Sequence, residues 1–393
     1  MTDIARNDSL TPYRLDVPDS ALDDLRRRLA DTRWPDQPRP ASPSDAGWNL
    51  GPPVDYLREL VEYWREGYDW RKAEARINQY PQLTTEIDGQ RVHVLHVRSA
   101  EPTAVPLILT HGWPGSPVEF LDLIGPLTDP AAHGGDPADA FHLVIPSIPG
   151  FGLSGVTTET GWAAPRVARA WAELMRRLGY ARYLAHGGDW GAAITRELGL
   201  ADPEHVVALH VPQIFTASVT EETADLTDPE ERRSVAAGRR YQYELSGYAA
   251  IQSTRPQLIS YPLTDSPVGQ LAWIVDGFRQ WTDVTDRPED AVDRDAMLTN
   301  VMLYWLTGTA GSSARFYRDG AASWGQPARP STVPTAVAVF PHDISVPIRR
   351  IAERSDNIVR WTRFDRGGHF ASLEEPDLVL ADLRTSFRPY RRG

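Results

Sequence analysis

The residues of this chain best suited to chemistry lie in the run Leu184-Ala185-His186-Gly187-Gly188-Asp189-Trp190-Gly191-Ala192. It reads as a buried strand breaking into a helix through Gly-x-Asp-x-Gly, with Asp189 at the bend. An aspartate has an ordinary pKa near 4, so at neutral pH it is already an anion and attacks without first losing a proton. The product of that attack is an ester. The chemistry it suits is therefore displacement at saturated carbon, in a strained cyclic ether or an alkyl halide. Alone the motif is weak: with Gly at about 7% of residues it arises by chance ~0.1 times in a chain this long.

Three further pieces accompany it. His369, in Arg366-Gly367-Gly368-His369-Phe370, is the candidate general base, on a loop after the last strand. Asp343, in Phe340-Pro341-His342-Asp343, is the candidate acid that orients it, at the carboxyl end of a returning strand. The run His111-Gly112-Trp113-Pro114-Gly115-Ser116 directly follows an early strand. There the backbone N–H of Trp113, with that of Trp190, can form an oxyanion hole for water attacking the carbonyl of an Asp189 ester. Loss of one such donor costs roughly 2.7–4 kcal/mol of barrier. Each piece has a plainer role when taken singly. Asp189 fits a helix N-cap, His369 a core or surface histidine, Asp343 a strand end, and Gly-Trp-Pro-Gly a tight turn. Their order (nucleophile, acid, histidine) and their place at strand ends favour the catalytic reading.

The elements that must position these groups follow from periodicity. Thr84–Ile87 and Arg91–Val97 alternate around Asp88-Gly89 and predict a hairpin. Apolar runs at Pro106–Thr110, Phe141–Ile145, Tyr183–Ala185 and Val206–Leu209 predict strands buried on both faces, hence a mostly parallel sheet. A helix with Val167, Trp171, Leu174, Met175 and Leu178 on one side lies among them, opened by Pro165 and closed by Gly179. The spacing predicts four segments. Residues 1–80 form a helical lead-in that wraps the core, with Leu22, Leu25 and Leu29 on one helix, which Trp34-Pro35 ends, and Tyr56, Leu57, Leu60, Val61 and Trp64 on another. Residues 81–212 form the first part of an α/β core. Residues 213–331 form a helical cap rich in aromatics (Trp273, Phe278, Trp281, Tyr304, Trp305, Phe316, Trp324). Residues 332–393 complete the core, where strands return at Thr335–Phe340 and Ile358–Trp361.

Composition narrows the function. A formal charge of −12 with no basic stripe argues against nucleic acid and anionic membranes. The absence of cysteine excludes disulfides, thiolate zinc sites and cysteine nucleophiles. Lys72 is the one lysine, and an Arg-, Ala- and Pro-rich composition suits a GC-rich bacterial genome. Neither a signal peptide nor an apolar span is evident, so a cytoplasmic location is expected. No metal-ligand spacing stands out and the chemistry calls for no cofactor. His93, His96, His142, His186 and His342 read as structural. The oligomeric state is not legible.

The chain resembles the microsomal-type epoxide hydrolases of the α/β-hydrolase fold. The segments His111–Ser116, Pro146-Ser147-Ile148-Pro149-Gly150-Phe151-Gly152, Gly187–Gly191 and Arg366–Phe370 carry the likeness. So do Asp265-Ser266-Pro267-Val268-Gly269, Leu298–Trp305 and the lead-in Tyr13–Val17 through Thr32–Pro35. The resemblance implies two tyrosines that donate to the epoxide oxygen, by motif Tyr248 and Tyr317, while Tyr241, Tyr243, Tyr261 and Tyr304 serve packing. It implies hydrolysis of an epoxide by water to a vicinal diol through an aspartyl ester, for detoxification or bacterial natural-product biosynthesis. The aromatics Trp273, Phe278 and Trp305 are expected to line an apolar, aryl-accepting site. Two alternatives stay open on the elbow alone: a haloalkane dehalogenase and a non-catalytic ligand-binding protein.

Overall fold

Period-two alternation and unbroken apolar runs produce two kinds of strand in one sheet. The computed structural model describes residues 9–42, 47–214, 219–323 and 328–391; Trp324 lies outside them. Its strands are β1 (Thr11–Tyr13), β2 (Gln82–Ile87), β3 (Gln90–Val97), β4 (Val105–Thr110), β5 (Phe141–Pro146), β6 (Tyr183–Gly187), β7 (Val206–Val211), β8 (Ser331–Val339) and β9 (Asp356–Arg363). They form one sheet in the order β1-β2-β3-β5-β4-β6-β7-β8-β9. Pairing is antiparallel from β1 to β5 and parallel from β5 through β4 to β9. The hairpin turn has positive φ at both Asp88 and Gly89, the twist that two-residue turns need. The parallel strands are the apolar runs: β4 and β6 end in buried residues, and Leu107, Ile108 and Leu109 are fully enclosed.

Helices cover both faces. The lead-in contributes α1 (Asp19–Ala30), α2 (Val54–Glu66) and α3 (Trp70–Ile77). The α/β part holds α4 (Leu121–Thr128), α5 (Ala164–Arg177) and α6 (Trp190–Ala201). Between β7 and β8 come α7 (Pro229–Arg240), a π-helical turn at Tyr241–Leu245, α8 (Gly247–Thr254), α9 (Pro256–Asp265), α10 (Pro267–Trp281), α11 (Arg294–Thr307) and α12 (Ala310–Gly320). The chain closes with α13 (Arg349–Ala352), α14 (Ala371–Glu374) and α15 (Pro376–Phe387). Among the described residues no helix is long and apolar enough to cross a membrane.

The lead-in differs from its expected form in three ways. It supplies the edge strand β1, too short to show any alternation. It holds a further helix, α3, whose buried side is Trp70, Glu74 and Ile77. A glutamate in the buried stripe hides the period; the helix instead depends on Asp69, whose side chain accepts from the backbone N–H of Arg71 at 2.9 Å. Finally, α1 ends at Ala30, before Trp34, whose ring instead lies under Arg58.

The lead-in also meets the inserted helices. α1 and α2 pack on α10, and α3 on α11. Along the seam Tyr63 Oη donates to Asp295 at 2.7 Å, Tyr68 Oη and Thr299 Oγ1 are 2.9 Å apart, and Arg287 reaches Glu59 at 3.0 Å. Exposed pairs such as the last contribute at most about 1 kcal/mol. Burial of Leu22, Leu25, Leu29, Leu57, Leu60 and Trp64, each worth about 1.5–3 kcal/mol, dominates.

Candidate active site

Asp189 sits where β6 turns into α6, with φ 54° and ψ −126°. A non-glycine residue in that region is strained and persists only where its surroundings fix it. Here they do. A Cβ on Gly191 would lie 2.0 Å from the carbonyl oxygen of Thr110, and one on Gly112 2.3 Å from Cβ of Asp189. Only hydrogen at both positions lets the loop after β4 close against the elbow. The backbone N–H of Trp113 then donates to Asp189 Oδ1 at 2.8 Å. Trp190 opens α6, so its backbone N–H is a first-turn donor and the helix N-terminus favours negative charge at Asp189.

The candidate pair Asp343 and His369 comes from two more strand ends. His369 Nδ1 is 2.9 Å from Asp343 Oδ1, and His369 Nε2 is 3.5 Å from Asp189 Oδ2. The histidine and Asp343 side chains are 2% exposed, that of Asp189 14%. Burial disfavours charge on His369, but the Asp343 and Asp189 carboxylates on its two nitrogens outweigh it and hold the imidazole up to about 10. The arrangement thus favours the protonated imidazole. Burial also lifts Glu119, to about 8, and Glu374, to about 7.

The phenols come from the inserted helices. Tyr248, on α8, stacks on Trp113 at 4.9 Å, and Tyr317, on α12, stands edge-on to Trp113 at 5.7 Å and Trp190 at 5.1 Å. Both therefore pack on Trp113, whose backbone N–H meets Asp189, and Tyr317 also packs on Trp190. Burial pushes both phenols well above their ordinary value, so each keeps its proton at neutral pH. Tyr241 was expected to be a packing residue. Its hydroxyl instead lies 3.0 Å from that of Tyr248, at the start of the π-helical turn. Tyr304 is buried and donates to Gly115 O at 2.7 Å, while Asn300 donates to Pro114 O at 2.6 Å, so α11 holds the Trp113 loop. Tyr243 and Tyr261 are exposed and pack on little.

The expected lining residues Trp273, Phe278 and Trp305 are not gathered with these groups. Trp273 Nε1 donates to Gln252 Oε1, Phe278 is buried against Phe370 behind the histidine, and Trp305 lies under Arg28 of the lead-in. Aromatic content marked the helices but not which ring turns inward. The ring that does is Trp281, edge-on to His369 at 5.2 Å and 4.9 Å from Tyr248; its carbonyl accepts from the backbone N–H of His369 at 2.8 Å. Gln213 is the other residue that sequence reasoning missed. Its Oε1 accepts from the Asp189 N–H at 2.8 Å and its Nε2 donates to Asp343 Oδ2. The available signal was a glutamine just past the carboxyl end of a core strand, where the chemistry gathers.

Seven other histidines have partners outside this chemistry. Burial keeps His111 low, at about 4; its Nδ1 meets Gly112 O at 3.0 Å and its Nε2 accepts from Ile148 N–H at 3.2 Å. His93 lies between Ser147 and Gln82, and His96 meets Tyr180. His142 accepts from the Ser99 N–H. His186 meets His210, which meets Asp382. His342 lies on the outside, 3.3 Å from Asp283. Among the described residues no group of three or more His, Asp or Glu side chains could hold a metal ion.

A carboxylate on a strand-to-helix elbow, with acid and histidine following in that order on a mostly parallel sheet, defines an α/β-hydrolase, and residues 105–376 match the family described as alpha/beta hydrolase fold. Residues 10–120 match a second family, Epoxide hydrolase N terminus. A Stigmatella aurantiaca protein provisionally named as an epoxide hydrolase is 47% identical over 97% of this chain and 86% of its own. Epoxide hydrolase 1 of Sus scrofa is 33% identical, covering 97% of this chain and 89% of its own. The chain belongs to the epoxide hydrolases. Among solved structures, the Aspergillus niger epoxide hydrolase superposes with a TM-score of 0.84 at 29% identity, covering 98% of this chain and 97% of that one. The juvenile hormone epoxide hydrolase of the silkworm Bombyx mori gives 0.83 at 28%, covering 98% and 95%. Family membership sets aside halide displacement and binding without turnover.

Proposed function

We propose that this epoxide hydrolase works through a covalent ester on Asp189 and takes an apolar, aryl-bearing epoxide. The observation that carries the reading is that Trp113 donates its N–H to the carboxylate and packs both phenols, while Trp190, next to Asp189 in the chain, packs Tyr317. Asp189 attacks an epoxide carbon from the side opposite the ring oxygen. As that C–O bond breaks, Tyr248 and Tyr317 donate to the oxygen and one gives it a proton, leaving a phenolate. The alkoxide would otherwise be a poor leaving group.

Esterification removes the negative charge of Asp189, one of the two that hold the proton on His369. The imidazolium becomes more acidic and returns the equivalent of the proton the phenol lost. Neutral His369, oriented by Asp343, then takes a proton from water. Hydroxide attacks the ester carbonyl beneath the N–H groups of Trp113 and Trp190; the acyl C–O bond to the product breaks, its oxygen takes the proton of the new Asp189 carboxyl, and the diol leaves with Asp189 again a carboxylate. The preference for an apolar, flat group rests on the rings around the carboxylate: Trp113, Trp190, Trp281, Tyr248 and Tyr317. Residues 213–331 act as the cap that brings the phenols, and residues 1–80 as its support.

The test is isotopic. A single turnover in heavy-oxygen water labels Asp189 and leaves the first diol unlabelled. Label found directly in that diol excludes the ester.

A further inference from the structure

Gln213 stands two residues beyond the end of β7 and is 1% exposed. Its amide spends each end on a different catalytic candidate. Oε1 accepts from the backbone N–H of Asp189 at 2.8 Å. Nε2 donates to Oδ2 of Asp343, whose other oxygen faces His369 Nδ1 at 2.9 Å. One side chain thus joins the backbone of the elbow to the carboxylate that orients the base.

The amide orientation is fixed by chemistry. A backbone N–H can only donate and a carboxylate only accept, so the oxygen faces Asp189 and the nitrogen faces Asp343. The elbow N–H sits at a strained turn where an unmet donor is costly.

We propose that Gln213 is a positioning residue for the second half-reaction: its amide pins Asp343 in register with His369 and, by donating to Oδ2, reduces the negative charge that carboxylate presents to the imidazole. The proposal rests on the roles given above to Asp189, Asp343 and His369. A carboxylate that accepts one strong hydrogen bond holds the histidine proton less tightly than a bare one. Gln213 thereby keeps the base available near neutral pH, where a more basic imidazole stays protonated and idle. Other charged groups face His369 from every side. They are Asp189 at the elbow, Asp343 after β8, Glu119 before α4 and Glu374 on α14. Outside the loop lie Asp283, His342 and Arg366, the last paired with Glu375. None of these outer groups touches both Asp189 and Asp343, so the effect of Gln213 is separable from theirs.

The experiment measures the two half-reactions separately, with styrene oxide as the probe. Rapid mixing with acid quench and intact-mass detection follows the ester; its decay across pH 5–9 gives the hydrolysis limb. In Gln213→Leu the expected result is ring opening within about threefold of wild type. Its hydrolysis limb moves upward by half a pH unit or more, with at least a tenfold loss of hydrolysis at pH 6. Gln213→Met keeps the length without the amide and is the variant that decides if the leucine protein does not fold. With no donor to Asp343 Oδ2 its limb moves the same way. An unmoved limb in Gln213→Met, with ring opening and hydrolysis slowed in proportion, overturns the role. If the wild-type enzyme forms no ester at all, the covalent reading fails instead, and the two failures are told apart by that first measurement.

Discussion

The two halves of the site are held in place by different means. Asp189, Asp343, His369 and Gln213 project from the carboxyl ends of adjacent parallel strands, and hydrogen bonds of 2.8 to 2.9 Å tie them to one another or to backbone. Tyr248 and Tyr317 come from two helices of the insertion, and ring packing on Trp113, Trp190 and Trp281 locates them. The sheet side is positioned by directional contacts that tolerate little change. The helical side is positioned chiefly by ring surfaces, whose contacts are non-directional, with the hydroxyl pair of Tyr241 and Tyr248 beside them. On the proposed mechanism the first half supplies the nucleophile for ring opening and the base that hydrolyses its ester, and the second supplies the proton donors to the oxygen released in that same ring opening.

Substitutions can break this division. The largest effect is expected from His369→Gln. Its ester hydrolysis falls by ~10²–10⁴ while ring opening persists, so intact-mass analysis finds the alkylated protein accumulating to one equivalent. Next come Tyr248→Phe and Tyr317→Phe, each slowing ring opening by ~10²–10³ without trapping ester. Accumulation of ester in either phenylalanine variant would erase the distinction between the halves.

pH sharpens the comparison. The phenols are pushed upward by burial and stay protonated, so ring opening is flat from pH 6 to 9, while hydrolysis rises with pH as His369 loses its proton. The stability sign follows from the same residue. Its folded value, about 10, lies above the ordinary histidine value of 6.5. The stabilisation it contributes is therefore complete below about pH 6.5 and is lost as pH rises through about 10. Melting temperature of wild type minus that of His369→Gln, measured from pH 6 to 10, shrinks toward the alkaline end. The smallest effect is expected at the seam beneath the helices: Tyr68→Phe removes one hydrogen bond to Thr299 and costs about 1 kcal/mol, read by denaturant unfolding, with kcat unchanged within about twofold.

What was legible in the sequence divides along the same line. Asp189, Asp343 and His369 sit on short loops after apolar runs, and a strand that ends in glycine or aspartate states its own end, so their convergence could be read. The hairpin, the buried strands and the helix of Trp171 followed from period alone. Gln213 escaped because its role is a distance, from β7 to both β6 and β8, that no local pattern encodes. Trp281 escaped for a related reason. In a helical stretch where Leu271, Ile274, Val275, Phe278 and Trp281 are all buried, period cannot say which ring turns toward the site. Tyr248 and Tyr317 were reached only through family likeness, and the bond from Tyr241 was missed because π-helical turns carry no composition signal.

The histidine loop is laced to the end of α10. His369 donates to the Trp281 carbonyl, Gly367 to Asp283, and the Asp283 and Phe370 N–H groups both donate to Glu374. At this corner α10 and the loop that carries the imidazole are joined through backbone hydrogen bonds. Reshaping α10 to admit a new molecule is therefore expected to shift the backbone that seats the imidazole, so selectivity and the speed of product formation are expected to change together.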